Sequence, residues 1–329
     1  MKCIKCSKDV KKQDRERSGG RCPSCHHQFV TEPTEDGLTD MAIKSAEEVV
    51  SSHGTFYFSK DHLKYQLQRK LKKQQRIFAT VAMIALCIFV VALLLTFVKG
   101  GFFFAITAIS GFALLIAASL RIKHKKTINK LDAIVHKWVT VNPHEKLLSA
   151  GKYKASSGSR SSHLDGISFD RVLICERDDT VDFFLRNLFH FHYSCPVLGG
   201  NGYPQGIYED MLARLKQNPN VKVFLLHDYT PAGQAFVRRI KTDAKWFGDG
   251  QRYDIIDLGL NVGQKKLFKE MTIKKADRNQ KIKETAEVSL FQPAALITLC
   301  GVAINEAVPL DLVTAAAAAD SSGSTGGYG

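Results

Sequence analysis

Residues 77–98 read IFATVAMIALCIFVVALLLTFV, 22 residues without a charged side chain, and residues 102–120 read FFFAITAISGFALLIAASL, another 19. At 1.5 Å per residue, either run crosses a hydrocarbon core of about 30 Å as a helix. Only Lys99, Gly100 and Gly101 separate them, so the spacing predicts a tight helical hairpin over residues 77–120 whose flanks emerge on one side. A hairpin buried inside a soluble protein fits less well, because such runs rarely lack every polar group. A signal peptide is excluded, since the first run starts 76 residues into the chain.

The flanks set the orientation. Residues 57–76 carry seven basic side chains and one acid, and residues 121–137 carry six and one. By the positive-inside rule both soluble parts, and both termini, are expected on the cytoplasmic side of an inner or plasma membrane. The basic flanks are expected to contact anionic headgroups at about 1 kcal/mol per residue. A reducing compartment makes paired cysteines metal ligands sooner than disulfides.

Working outward to the amino terminus, Cys3-x2-Cys6 and Cys22-x2-Cys25 lie 15 residues apart beside turn formers, Ser7-Lys8-Asp9 and Pro23-Ser24. Four thiolates at about 2.3 Å from one Zn2+ replace the core that so short a segment cannot build. Residues 1–30 thus resemble the zinc-ribbon family. With four Cys ligands no coordination position stays open, so the ion is expected to be structural. Its basic surface suits nucleic acid or lipid headgroups, and many ribbons instead hold proteins together.

Residues 31–76 read as a polar linker followed by a basic juxtamembrane stalk. Helical spacing begins after Thr39 or Asp40 and runs through Ile43, Ala46 and Val50. A second helix, capped by Ser59, carries Leu63, Leu67 and Leu71 toward the membrane. Residues 121–167 read as a basic exit helix and a Ser-rich linker.

Beyond residue 167 the pattern becomes alternating strands and helices: strands at 170–175, 194–198, 221–226 and 253–258, helices at 179–190, 207–217 and 231–244. Such alternation predicts an α/β domain with a mostly parallel sheet covered on both faces. Chemistry in such folds sits at the carboxyl ends of strands. Glu176 follows the first strand there and Asp228 the third. Two such acids suit a Mg2+ ion, which takes carboxylate oxygens and keeps several waters, and a bound ion stabilises charge on a phosphodiester. The plainer alternative is that strand-end acids cap the next helix.

The order Cys175-Glu176-Arg177-Asp178-Asp179-Thr180-Val181, Gly200-Asn201-Gly202-Tyr203-Pro204, Leu226-His227-Asp228-Tyr229-Thr230-Pro231-Ala232-Gly233 and Asp257-Leu258-Gly259-Leu260 resembles the Toprim domain of the topoisomerase VI A subunit and its meiotic endonuclease relatives. The resemblance covers residues 168–272. It implies that Glu176 binds metal or acts as general acid or base, and that Asp228 is the first acid of an Asp-x-Asp motif binding Mg2+ or Mn2+. It further implies a loop of Gly200, Gly202, Tyr203 and Pro204, and a helix-opening turn with Pro231 and Gly233. Two departures are plain. Thr230 stands where the family has its second acid, offering a neutral oxygen. The winged-helix domain with the strand-cleaving tyrosine is replaced by the membrane hairpin, and Tyr153 alone lies between hairpin and Toprim-like domain, so any cleavage would be hydrolytic, without a tyrosyl intermediate.

Lys265, Lys266, Lys269, Lys274 and Lys275 open a basic stripe, read as a solvated helix face or a phosphate track. Residues 168–312 close with a docked helix, and residues 313–329 read as a disordered tail. The fold class is therefore multidomain: zinc ribbon, transmembrane hairpin, Toprim-like α/β domain. Of the net charge of +14, the chain from Asp170 onward contributes nothing, with 19 basic and 19 acidic residues. The charge bears on membrane orientation more than on nucleic acid. Two functions fit. One is a membrane-anchored, metal-dependent nuclease engaging nucleic acid, suited to defence against foreign DNA. The other is a non-enzymatic scaffold or sensor that binds partner proteins or further copies of itself.

Overall fold

A computed structural model describes residues 1–99, 102–148, 169–205, 207–218, 220–246, 253–261, 264, 274–275 and 284–323. The chain forms two compact units, one of Met1–Val49 with Leu63–Glu145 and one of Val50–His62 with Lys146–Gly329.

In the first unit, α1 (Lys12–Arg17) lies between the two cysteine turns, followed by α2 (Pro33–Asp36), α3 (Asp40–Val50), α4 (Lys60–Lys99) and α5 (Phe102–Val141). Thr39 caps α3, its Oγ1 accepting from the Ala42 N–H at 3.2 Å. Asp40 is fully buried. Its carboxylate accepts the Val30 and Thr31 N–H groups at 3.0 and 2.9 Å and the Thr31 hydroxyl at 2.8 Å. The segment expected to be a linker is thus tied down at its start, and both carboxylate oxygens of its Glu32 accept from Nη2 of Arg15, at 2.9 and 3.0 Å.

Helices α4 and α5 each run 40 residues, about 60 Å, twice what a bilayer core requires. Their outer and inner halves differ in a physical way. On α4, Leu63, Leu67 and Leu71 are buried, as are Leu131, Ile134, Val135 and Trp138 on α5. Spacings of three and four residues set each group on one helix face, Lys64 pairs with Asp132 at 3.1 Å, and the Trp138 indole N–H donates to Glu47 at 3.4 Å. From Ile77 to Leu93, by contrast, most large apolar side chains of α4 are exposed, as are Ile109, Phe112, Leu115 and Ile116 on α5. The residues that are covered there are small, Ala85, Ala92, Ser110 and Ala117. The Phe89 ring packs over Gly111, 3.4 Å from where a Cβ would stand, an ordinary van der Waals distance. Apolar side chains turned outward and small residues turned inward are what a helix pair in lipid requires. Two helices, Lys60–Leu93 and Ile106–Val141, are long and apolar enough to cross a membrane.

The second unit contains β1 (Arg171–Cys175), α6 (Asp178–Arg186), α7 (Phe189–His192), β2 (Val197–Gly199), α8 (Tyr208–Gln217), β3 (Lys222–Leu226), α9 (Pro231–Thr242) and β4 (Asp254–Asp257). These strands form one parallel sheet in the order β2-β1-β3-β4. The central strands β1 and β3 are almost wholly buried, as near-continuous apolar runs in a sheet covered on both faces should be. Val172, Ile174, Val223 and Leu225 share one cluster with Tyr208, Met211, Phe236 and Trp246. The short pair β5 (Lys274–Lys275) and β6 (Glu284–Thr285) follows, then a 3-10 turn (Val288–Leu290), α10 (Pro293–Glu306) and α11 (Leu310–Gly323). Two expectations change here. Lys274 and Lys275 lie in a strand, not on a helix, while Lys265, Lys266, Lys269 and Tyr153 fall outside the described residues. Helix α11 continues to Gly323 through the Ala-rich stretch read as tail, consistent with alanine's being the best helix former.

Residues 50–62 belong to this second unit rather than to a free stalk. Phe58 is fully buried and pairs in parallel with Leu147, its N–H donating to the Lys146 carbonyl at 2.9 Å and its carbonyl accepting from Leu148 at 2.8 Å. The Asn187 side chain clamps the Tyr57 backbone, accepting its N–H at 2.8 Å and donating to its carbonyl at 3.1 Å.

Candidate functional site

The two cysteine turns are built alike. In the first, Ser7 N–H donates to the Cys3 carbonyl and Cys3 N–H to the Lys8 carbonyl, both at 2.9 Å; in the second, His26 and Cys22 do the same toward Cys22 and His27 at 2.9 Å. Ser7 and His26 take the left-handed backbone region at φ 60° and 54°, turning the chain so that both thiols of a pair face inward. The four Sγ atoms of Cys3, Cys6, Cys22 and Cys25 lie within 4.8 Å of one another. Cys3 to Cys25 is 3.5 Å and Cys6 to Cys22 is 3.6 Å, close to the edge of about 3.8 Å of a tetrahedron with 2.3 Å metal–sulfur bonds. All four are free thiols. Burial opposes ionisation at Cys22, yet the N–H groups of Cys25 and Ser24 outweigh it and bring its pKa down to about 7. The donor set suits a metal such as zinc. Among the described residues it is the one group of three or more His, Cys, Asp or Glu ligand atoms gathered so closely.

The other candidate lies at the carboxyl ends of β1 and β3, the two central strands. Strand β2 lies to one side of β1 and β3 to the other, so the crevice between β1 and β3 is the topological switch point, where open parallel sheets bind ligands. Glu176 continues β1, its N–H donating to the Leu226 carbonyl at 2.9 Å. Its Oε2 accepts the Asp228 backbone N–H at 3.0 Å, which sets the Glu176 carboxylate against the main chain at Asp228. Asp228 is 6% exposed, and its Oδ1 accepts the Val288 N–H at 2.7 Å. Burial, more than any neighbour, raises its pKa to about 6.

The acids around this pair are engaged. Arg177 forks onto Asp179, Nε to Oδ1 at 2.9 Å and Nη2 to Oδ2 more closely, and places Nη1 3.4 Å from Asp228 Oδ2. Asp257 pairs with His227 Nε2 at 3.1 Å, and His227 Nδ1 lies 2.8 Å from the Asp228 carbonyl, to which it donates. Burial opposes the charged imidazole, but Asp257 and that carbonyl outweigh it and hold the pKa above the usual value. Thr230, expected in place of the second acid, caps α9 by accepting the Gly233 N–H at 2.9 Å. Pro231 takes the first position of that helix, where no N–H is needed.

Gly233 is required by close approach. A Cβ there would overlap the Asp228 carbonyl oxygen and stand 2.8 Å from His227 Nδ1 and 3.1 Å from Glu176 Oε2. Gly233→Ala is therefore expected to force Glu176 and Asp228 apart and to lower divalent-metal affinity at least about tenfold, measured by Mn2+ titration of the full chain, together with a lower Tm. The loop after β2 is closed by Gly199 N–H on the Tyr203 carbonyl at 2.7 Å and tied to β1 by Gly200 N–H on the Cys175 carbonyl at 3.0 Å. Gly202 adopts φ 90°, the Tyr203 hydroxyl reaches Asp182, and Pro204 accepts from the Tyr208 N–H at 3.1 Å, opening α8.

Sequence reasoning missed a cleft beside Asp228. Ser59, just before α4, and Asp61 and His62 in its first turn line it with Arg177, Asp179 and Asp228. His62 Nδ1 accepts the Ser59 N–H at 3.1 Å, while Ser59 Oγ accepts the His62 N–H at 3.3 Å. This reciprocal cap keeps the imidazole proton on Nε2. Burial takes the His62 pKa down to about 4, so the ring is neutral at physiological pH. The capping serine was legible in the sequence; a contact with residues more than a hundred positions away was not.

No known protein family, curated protein or solved structure matches the chain.

Proposed function

We propose that the protein is anchored in an inner or plasma membrane with both soluble units cytoplasmic, that its amino-terminal cysteines hold a structural Zn2+, and that its carboxy-terminal unit is a Toprim-like domain engaging nucleic acid through Mg2+ or Mn2+. One observation supports the site reading: the Glu176 carboxylate accepts the Asp228 backbone N–H at the switch point of the parallel sheet, so both acids stand at adjoining strand ends. Glu176 and Asp228 would hold the cation. When bound, it supplies positive charge against a phosphodiester. The protein's own groups then have separate tasks: Val288 N–H fixes the Asp228 carboxylate, Gly233 lets α9 approach it, and His227 braces its backbone against Asp257. Defence against foreign DNA is a role this architecture suits.

A second reading is favoured by Thr230 and Arg177. With the Thr230 hydroxyl committed to a helix cap and a guanidinium beside Asp228, the electrostatic hold on a cation is weaker than three acids would give. A domain of this kind serves as a scaffold or sensor that binds partner proteins or another copy of itself. Incubating the full chain with plasmid and single-stranded DNA plus Mg2+ or Mn2+ separates the two. Cleavage lost in both Glu176→Ala and Asp228→Ala supports the nuclease. Cleavage that persists in both variants excludes this site, and a parent that neither binds metal nor cleaves supports the scaffold.

A further inference from the structure

The two carboxylate oxygens of Asp228 differ in their surroundings. Oδ1 accepts the buried Val288 N–H at 2.7 Å, whereas Oδ2 faces a side-chain cation. Facing that oxygen at 3.4 Å is Nη1 of Arg177. A divalent cation held by Oδ2 and a guanidinium at its present position would be two like charges sharing one oxygen in a partly buried cleft, where their repulsion is poorly screened.

Arg177 also has somewhere to go. Its main anchor is the fork onto Asp179, whose side chain is half exposed, while the contact to Asp228 is single and long. Asp179 sits in the first turn of α6 and holds Nε and Nη2 of the guanidinium, so moving Nη1 off Asp228 gives up a single long hydrogen bond.

We infer that Arg177 is an internal counter-cation that competes with the divalent metal for Oδ2 of Asp228, so that the site accepts metal only when the guanidinium withdraws onto Asp179. This inference rests on the metal reading of Glu176 and Asp228 above. It assigns Arg177 a regulatory position: whatever draws the guanidinium outward, a phosphodiester above all, raises metal affinity, and by linkage metal raises affinity for that anion by the same factor.

The test is Mn2+ binding to the full, zinc-loaded chain in detergent at pH 7.5, read from the electron paramagnetic resonance signal of free Mn2+. Arg177→Gln is expected to tighten Mn2+ binding about tenfold or more, and Arg177→Lys, which keeps the charge, to stay within about threefold of the parent. Arg177→Ala provides the same comparison should the glutamine variant fold poorly. Equal Mn2+ affinity in the parent, Arg177→Gln and Arg177→Ala overturns the latch while leaving the metal site standing. Absence of Mn2+ binding in the parent and in both neutral variants overturns the metal reading and the latch with it.

Discussion

Cys22→Ser is expected to strip the amino-terminal metal and unfold residues 1–30. The segment buries only Cys3, Val10, Cys22 and Phe29 in its own cluster, far too little apolar surface to offset the entropy of ordering thirty residues. Structural Zn2+ in small four-ligand sites supplies on the order of 10–16 kcal/mol at pH 7. Loss of one thiolate therefore decides folding rather than trimming it. Trypsin should cut the variant at Lys11, Lys12 and Arg17 while the parent resists, and metal analysis of the variant should give less than a tenth of the parent's zinc. The second unit should keep its own unfolding transition.

Asp228→Asn is expected to remove divalent-metal binding and, with it, a pH dependence. The folded chain holds the Asp228 proton more tightly than the unfolded chain does, because burial lifts the pKa from 3.8 to about 6. The protonated form therefore adds stability that is fully present below about pH 4 and is lost as pH rises through 6. Metal needs the ionised form, so its apparent affinity should level off above pH 6 and fall toward tenfold per unit below it. Asparagine keeps an oxygen for the Val288 N–H and should fold. It cannot ionise, so Mn2+ affinity should drop at least about a hundredfold at pH 7.5. Asp228→Ala, by contrast, would leave a buried N–H without an acceptor, at a cost of roughly 1–3 kcal/mol.

The parts legible in the sequence were those whose signal is local. Two uncharged runs, a repeated Cys-x2-Cys and apolar strands ending in Glu176 and Asp228 each declare themselves within a few residues. Arg177 was in plain view beside Glu176, yet its placement against Asp228 depends on the register of β1 on β3, which no single strand encodes. The segment around Phe58 was harder still. Its pairing with Leu147 and its clamp by Asn187 join positions far apart in sequence, and a stretch of four residues carries too little periodicity to announce a partner. Helix α11 runs into the stretch read as tail, where Ala, Ser and Gly together read as low complexity although alanine alone has the highest helix propensity.

These contacts also bear on how the protein is handled. A fragment beginning after the hairpin would lack Phe58, which pairs with Leu147 in the second unit, and Ser59 and His62, which line its cleft. The full chain is the right material. The most direct measurement is the fluorescence anisotropy of a labelled single-stranded oligonucleotide titrated with that chain in neutral-lipid nanodiscs, with and without Mn2+. Oligonucleotide binding is expected to require Mn2+ and to be lost in both Glu176→Gln and Asp228→Asn. Binding indifferent to Mn2+ and unchanged in both variants would rule out a metal-dependent nucleic-acid site at Glu176 and Asp228.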